Sequence, residues 1–291
     1  MRSRRYLQLD VFSDRPGAGN PLGVVLDAAG LDGTAMQAIA AWLNLSETIF
    51  FLAPSSPRAD YHVRIFTPRR ELPFAGHPSV GAAWAAVETG LCVARDGALL
   101  QECAAGLLPV RIEPVDGRHD THVRSPRSRR DEPGFPPSLL DAALRGLPRG
   151  SQAPALWNNG PGWWLAELAD AATVRTMAPD LAAIAALTTA TGAVGLAVYG
   201  RARGSDHALA VRAFCPADGI AEDPVTGSAN AAIAAQLHAA GTLPGEGARG
   251  YVASQGRELG RDGRVHVQVD DEGEVWIGGL VQRIIEGQLY W

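Results

Sequence analysis

Two stretches of this chain read as copies of one another. Val63-Arg64-Ile65-Phe66-Thr67-Pro68 recurs as Val211-Arg212-Ala213-Phe214-Cys215-Pro216, an offset of 148 (211 − 63). Each copy is followed by a Pro-x-x-Gly step, Pro78-Ser79-Val80-Gly81 and Pro224-Val225-Thr226-Gly227, at an offset of 146 (224 − 78). Alanine-rich runs come next, and each ends near a glycine, Gly90 or Gly241. On this alignment two residues are lost between the landmarks. A duplication at about half the chain length predicts two related halves, residues 1–125 and 126–291, with the functional site expected where they meet.

Composition narrows the chemistry. A chain of 291 residues with 46% hydrophobic and 20% charged residues has the make-up of a folded globular protein. A net charge of −5 gives no reason to expect nucleic acid or an acidic membrane as partner. All 26 basic residues are arginine. Codon composition can account for that bias, but the absence of lysine still excludes lysine Schiff bases, lysine-anchored pyridoxal phosphate and a Walker P-loop. Arg2, Arg4 and Arg5 have no apolar run behind them, so no secretory signal is expected. The uncharged stretch from Leu181 to Tyr199 is broken by Thr188-Thr189-Ala190-Thr191-Gly192, which suits a helix, a turn and a strand. Cys92, Cys103 and Cys215 lack metal-ligand spacing and are odd in number, which points to a cytoplasmic location.

The same order of elements is predicted twice. In the first half, strands are expected at Tyr6–Ser13, Leu22–Leu26, Thr48–Leu52 and Tyr61–Phe66, around turn chemistry at Asp14–Pro21. Met36, Ile39, Ala40 and Leu43 fall at helical spacing behind Asp32 or Thr34 as N-cap, and a second helix is expected at Ser79–Glu88. The second half offers strands at Ala155–Asn158, Gly162–Leu168, Val194–Tyr199 and Leu209–Phe214, with helices at Asp180–Leu187 and Thr226–Ala239. Further strands are expected at Leu108–Glu113, around Val123, and at Arg249–Ser254, Val265–Val269 and Val275–Ile285. Glu113–Pro154 reads as a linker with one short helix at Ser138–Leu144, and its Arg127–Arg130 run as a solvated surface. The expected fold class is α+β, with two pseudo-repeated halves, each a curved, mostly antiparallel sheet around a central α-helix.

The copies differ where polar chemistry gathers. Glu47 opens the apolar strand Thr48–Leu52, while the corresponding run Gly192–Tyr199 has no acid. A carboxyl group at that place is either sheltered enough for desolvation to favour its protonated form, as a proton shuttle requires, or is an exposed strand end. The loops before the two central helices carry Gly76-His77-Pro78 and Asp223-Pro224, with Gly227-Ser228 beyond. Glycine-rich helix starts expose backbone N–H groups that attract carboxylates and oxyanions. Ser79, Thr226 and Ser228 suit capping as well as substrate binding. His77 and Asp223, each just before a proline, could be surface residues or an acid, a base or a clamp on substrate.

Asp10-Val11-Phe12 with Gly19-Asn20-Pro21, Ser46-Glu47-Thr48, Phe74-Ala75-Gly76-His77-Pro78 and Glu222-Asp223-Pro224-Val225-Thr226-Gly227-Ser228-Ala229 together resemble the PhzF-like family of phenazine biosynthesis. They run from the N-terminus to beyond Ser228 in the family's order. The resemblance implies the diaminopimelate-epimerase fold and a homodimer. It implies an isomerase that needs no cofactor and no metal, acting on a small carboxylate, with Glu47 shuttling the proton as in isomerisation of dihydro-hydroxyanthranilate. Glu47, His77 and Asp223 are then the catalytic residues, and Gly76, Ser79, Gly227 and Ser228 bind substrate. Epimerases of this fold use two cysteines, but the loop positions here hold Ala75-Gly76 and Asp223-Pro224, and Cys215 comes about eight residues too early. Alternatives are a racemase or epimerase on another small acid, and a non-catalytic small-molecule-binding member of the fold. A serine hydrolase using Ser46 or Ser79 is disfavoured, because no Gly-x-Ser-x-Gly exists.

Overall fold

The computed structural model describes residues 2–244 and 250–291. The chain forms two compact units, Met1–Arg124 with Gly278–Trp291, and Ser125–Ile277. The second half expected from sequence runs to Trp291, yet the last strand, Val281–Tyr290, pairs antiparallel with the first. The run expected as one strand from Val275 is broken after Gly279, and its second part belongs to the first unit.

In the first unit β1 (Ser3–Val11) lies between Val281–Tyr290 and β2 (Asn20–Val25), antiparallel to both. β2 runs parallel to β3 (Glu47–Leu52). A parallel pair needs a crossover, and α1 (Gly33–Leu43) supplies it. Asp32 caps α1 by accepting from Ala35 N–H at 2.8 Å, and Asn44 ends it in the left-handed region at φ 52°. β4 (Tyr61–Phe66) returns antiparallel to β3, and β5 (Glu71–Leu72) pairs briefly with β4. α2 (Gly76–Glu88) then crosses to β6 (Ala98–Cys103), which is parallel to β4 and leads to the antiparallel strands β7 (Gly106–Val115) and β8 (Arg118–Arg124).

α2 is buried from Gly76 to Ala86. Its small residues let strands approach closely: a Cβ on Gly81 would lie 2.4 Å from Leu22 Cδ2. A helix that is apolar on all sides has to be enclosed, as the sequence led us to expect.

The second unit repeats the plan. After β9 (Arg129–Asp131) and α3 (Pro137–Ala143) come β10 (Ala155–Asn158), β11 (Gly162–Glu167), α4 (Ala171–Thr176), α5 (Leu181–Thr191), β12 (Gly195–Arg201) and β13 (Leu209–Cys215). β14 (Ile220–Asp223), α6 (Gly227–Ala239), β15 (Gly250–Gln255), β16 (Gly263–Val269) and β17 (Val275–Gly279) complete it. β11 and β12 are parallel, as are β13 and β15, with α5 and α6 as the respective crossovers. Of the strand expected at Arg249–Ser254, Arg249 lies outside the described residues, and the rest falls in β15. The linker region is more structured than its composition suggested, because Ala143 and Leu144 at the end of α3 enter a core with Leu156, Trp164 and Ile184. Its arginines are surface groups in ion pairs, Arg127 with Glu274 and Arg129 with Asp131.

The structure also corrects the register of the duplication. α1 and α5 each have 11 residues at an offset of 148, as do the starts of β3 and β12. α2 and α6 each have 13 residues, at an offset of 151. The second copy therefore gains three residues, where Pro216–Asp218 forms a 3-10 turn. Pro224 corresponds to Pro73, not to Pro78, which lies inside α2. Sequence matching on Pro-x-x-Gly alone paired the wrong prolines.

Candidate functional site

Within the first unit, two of the residues singled out from sequence come together. Glu47 is the first residue of β3, opposite Leu22 of β2, and its side chain is 16% exposed. His77 is the second residue of α2 and is buried. Its Nε2 lies 3.2 Å from Glu47 Oε2. The short turn from β5 brings the chain into α2 with extended backbone at Ala75, which makes no side-chain cap. Ser79 N–H makes the first bond of the helix, to Ala75 O at 3.2 Å. The amides of Gly76 and His77 precede it in the first turn, where a helix has no internal acceptors to offer, and Pro78 is tolerated there because its missing N–H costs nothing.

Burial pushes the imidazole of His77 down to about 3, so the ring is neutral at ordinary pH. The contact with Glu47 is thus one between a carboxyl group and a neutral ring. A charged imidazolium at this distance would fix the carboxylate in its ionised form, whereas a neutral one leaves it able to accept a proton and give it back.

Ser79, expected to bind substrate, lies four residues into α2 and is fully buried. Its hydroxyl accepts from Gln101 Nε2 at 2.9 Å, which ties α2 to β6. The N-terminal motif residues shape the β1–β2 corner. Gly19 N–H donates to Asp10 Oδ2 at 3.1 Å, Phe12 is held at φ 63°, and a Cβ on Gly19 would meet Val11 O at 2.2 Å.

The remaining predicted residues lie in the second unit. Thr226 occupies the N-cap position of α6 but does not cap it; its hydroxyl donates to Asp223 Oδ2. Buried Gln255 organises this corner. Its Oε1 accepts from Thr226 N–H and Asn230 Nδ2, both at 3.0 Å, and its Nε2 donates to Asp223 O at 3.0 Å and Thr226 Oγ1 at 2.9 Å. Because Thr226 Oγ1 accepts from Gln255, its proton is directed at Asp223. Gly227 opens α6, and Ser228 follows with its hydroxyl accepting from Trp163 Nε1 at 3.1 Å. Asn159 Nδ2 holds Ser228 O at 2.9 Å.

In the corrected register Ser228, rather than Asp223, is the counterpart of His77, and Gly195 is the counterpart of Glu47. A Cβ on Gly195 would lie 2.5 Å from a ring carbon of Trp163 and 2.5 Å from Phe214 O. An indole thus fills the space beside the missing acid and contacts the residue that replaces His77. The positions matching the two helix caps hold Ala75 and Thr226, so neither carries a thiol.

Trp163, Asn159, Gln255 and Gln101 were not foreseen as parts of these helix starts. They reach them from neighbouring strands or turns, and no local spacing marks such contacts. Of the other tryptophans, Trp164 packs in the core against Phe135.

Comparison with known proteins identifies the family. The model of the PhzC-PhzF family, described as "Phenazine biosynthesis-like protein", matches residues 9–282. The chain is 34% identical to trans-2,3-dihydro-3-hydroxyanthranilate isomerase of Pseudomonas aeruginosa, over 98% of this chain and 99% of that protein. A Bacillus anthracis phenazine biosynthesis protein of the PhzF family superposes with a TM-score of 0.84 at 26% identity, covering 100% of both chains. A hydroxyproline epimerase from Agrobacterium vitis, at 14% identity and a TM-score of 0.65 over 99% of this chain and 92% of that one, shares the fold alone.

Proposed function

The chain belongs to the phenazine-biosynthesis-like PhzC-PhzF family and is an isomerase, and from that premise we propose that Glu47 moves a proton within a small unsaturated carboxylic acid. The single observation that carries this reading is the contact of Glu47 Oε2 with His77 Nε2 at 3.2 Å, made at a glycine-opened helix start. In the proposed step the Glu47 carboxylate takes a proton from a carbon activated by adjacent unsaturation. The electron pair moves through the conjugated system, and the protonated carboxyl returns the hydrogen at the far carbon. Nothing is oxidised or reduced, and no group is lost. The neutral His77 ring orients the carboxyl group without pinning its charge, and the amides of Gly76 and His77 offer donors for the substrate's carboxylate.

The relative named for trans-2,3-dihydro-3-hydroxyanthranilate supports a cyclic diene acid as the substrate class. Two-base racemisation is the weaker reading, since the second copy has Gly195 where the first has its acid. The test is isomerisation of such a diene acid in D2O. Wild-type enzyme is expected to place deuterium at the new C–H, and Glu47→Gln to slow that incorporation by about 10²- to 10⁴-fold. Equal incorporation by both proteins would remove Glu47 from the mechanism.

A further inference from the structure

The second unit departs from the first in one further place. Seven residues separate β2 from α1, whereas thirteen separate β11 from α5, and the extra six match the length of α4 (Ala171–Thr176). Beside α4 is a cavity of about 650 Å³, within the size range of small-molecule sites. Four arginines line it, Arg175 on α4, Arg201 at the end of β12, Arg203 in the following loop, and Arg257 after β15, together with His207. Asp170 is the only acid in the wall among the described residues. Its Oδ1 is engaged in capping α4, accepting from Thr173 N–H at 2.7 Å and Thr173 Oγ1 at 2.8 Å.

The arginines are held by partners that do not line the cavity. Arg175 Nη1 is 3.3 Å from Glu258 and its Nη2 donates to Ser254 Oγ at 2.8 Å. Arg201 donates from Nε to Glu167 at 3.1 Å and from Nη2 to Thr242 O at 2.8 Å. Arg257 uses its Nε on Asp262 at 2.9 Å. His207 Nδ1 meets Asp206 at 2.8 Å, and that carboxylate is also taken by Arg264. Arg203 is exposed and makes no ion pair among the described residues. Each guanidinium carries five N–H groups, so the bonds that fix these side chains leave donors over for a ligand. The result is a wall of arginines anchored from behind by carboxylates that balance their charge, Arg203 excepted.

We propose that this cavity is a second binding site, built on the inserted helix, for a small polyanion bearing at least two carboxylate or phosphate groups. Arg203 brings a positive charge that no ion pair among the described residues balances, and a second anionic group would use the donors that the ion pairs leave on its neighbours; planar forked donors suit carboxylates and phosphates alike. None of the residues assigned to proton transfer lines it, so the site stands apart from the Glu47 reading and can fail without it.

Isothermal titration calorimetry of the full chain with citrate and with inorganic phosphate tests the proposal. Saturable citrate binding is expected, weakened about tenfold or more by Arg203→Glu and also weakened by Arg257→Ala, and unchanged in Glu47→Gln. Arg203→Glu alters an exposed side chain with no ion pair to lose, so the fold survives it. Competition by phosphate at similar strength assigns the wall to phosphate-type anions, and binding of citrate alone assigns it to spaced carboxylates. Heat that never saturates, equal affinity in Arg203→Glu and wild type, or loss of binding in Glu47→Gln would each overturn it.

Discussion

The two central helices begin alike and are equipped differently. Each starts with a glycine, three residues after a proline, and each makes its first internal hydrogen bond to an uncapped residue before it. The first presents His77 to Glu47, and the second presents Ser228 to Trp163. The duplication gives two equivalent places at the head of a strand beside a helix start, and only the first holds an acid. At the other, a glycine and an indole take the space, so a helix start of the same geometry becomes a hydrogen-bonded corner centred on Gln255. The scaffold fixes the place, and two side-chain positions decide whether it holds the acid on which the proposed chemistry depends.

The largest expected effect comes from another duplicated feature that the two units bury unequally. Arg64 forks onto Glu71 at 2.7 and 2.6 Å, and Arg212 onto Glu222 at 2.9 and 2.8 Å. Each guanidinium also lies over a phenylalanine ring, at 5.1 and 5.0 Å. The first pair is partly open, with side chains 29% and 36% exposed, while the second is enclosed at 7% and 9%. Arg212 also donates to Met177 O at 2.8 Å just beyond α4. Removing one partner of an enclosed pair strands the other, so Arg212→Ala should cost about 3–5 kcal/mol. Arg64→Ala should cost about 1 kcal/mol or less. Urea unfolding of both variants measures the difference, and equal losses would show that burial does not separate the forks.

A smaller effect follows from the site of the missing acid. Gly195→Ala forces a Cβ against Phe214 O and the Trp163 ring, and the backbone oxygen cannot swing aside. The expected cost is about 1–3 kcal/mol. The matching change in the first unit, Glu47→Ala, removes the side chain proposed to move the proton and should leave stability within about 1 kcal/mol or raise it. Thermal denaturation of the pair decides this. If Gly195→Ala is silent, the second position is open, and its lack of an acid has no steric cause.

Much of this was legible in the chain because it rests on local pattern. The strands expected at Tyr61–Phe66 and near Ala155–Asn158 form at those residues, and alanine-rich stretches marked the enclosed helices. Glu47 stood out because an acid at the head of an apolar strand conflicts with its surroundings. The helix-start register did not stand out, since a proline three residues before a helix and one inside its first turn look the same in a motif. Likewise the partnership of Trp163 with Ser228 depends on parallel pairing of Trp163 with Gly195, a contact made only once β11 and β12 are side by side. The six-residue insertion carries no expected element, because Ala171–Thr176 is too short to show helical periodicity.

The finest test of the contrast between the helix starts is pH. In the folded protein His77 resists protonation until about pH 3, against an ordinary value of 6.5. The unfolded chain takes up that proton first as pH falls, so the stability tied to His77 is complete above about pH 6.5 and drains away toward pH 3. The slope contributed by one such group approaches about 1.4 kcal/mol per pH unit inside that window. Ser228, its counterpart, has no proton to gain there. Urea unfolding of wild type, His77→Gln and Ser228→Ala across the window should therefore give a flatter profile for the histidine variant and a profile parallel to wild type for the serine variant. A histidine variant that also runs parallel to wild type would mean that the ring is charged in the fold, and the carboxyl group beside it would then be held as a fixed anion instead of a group free to trade a proton.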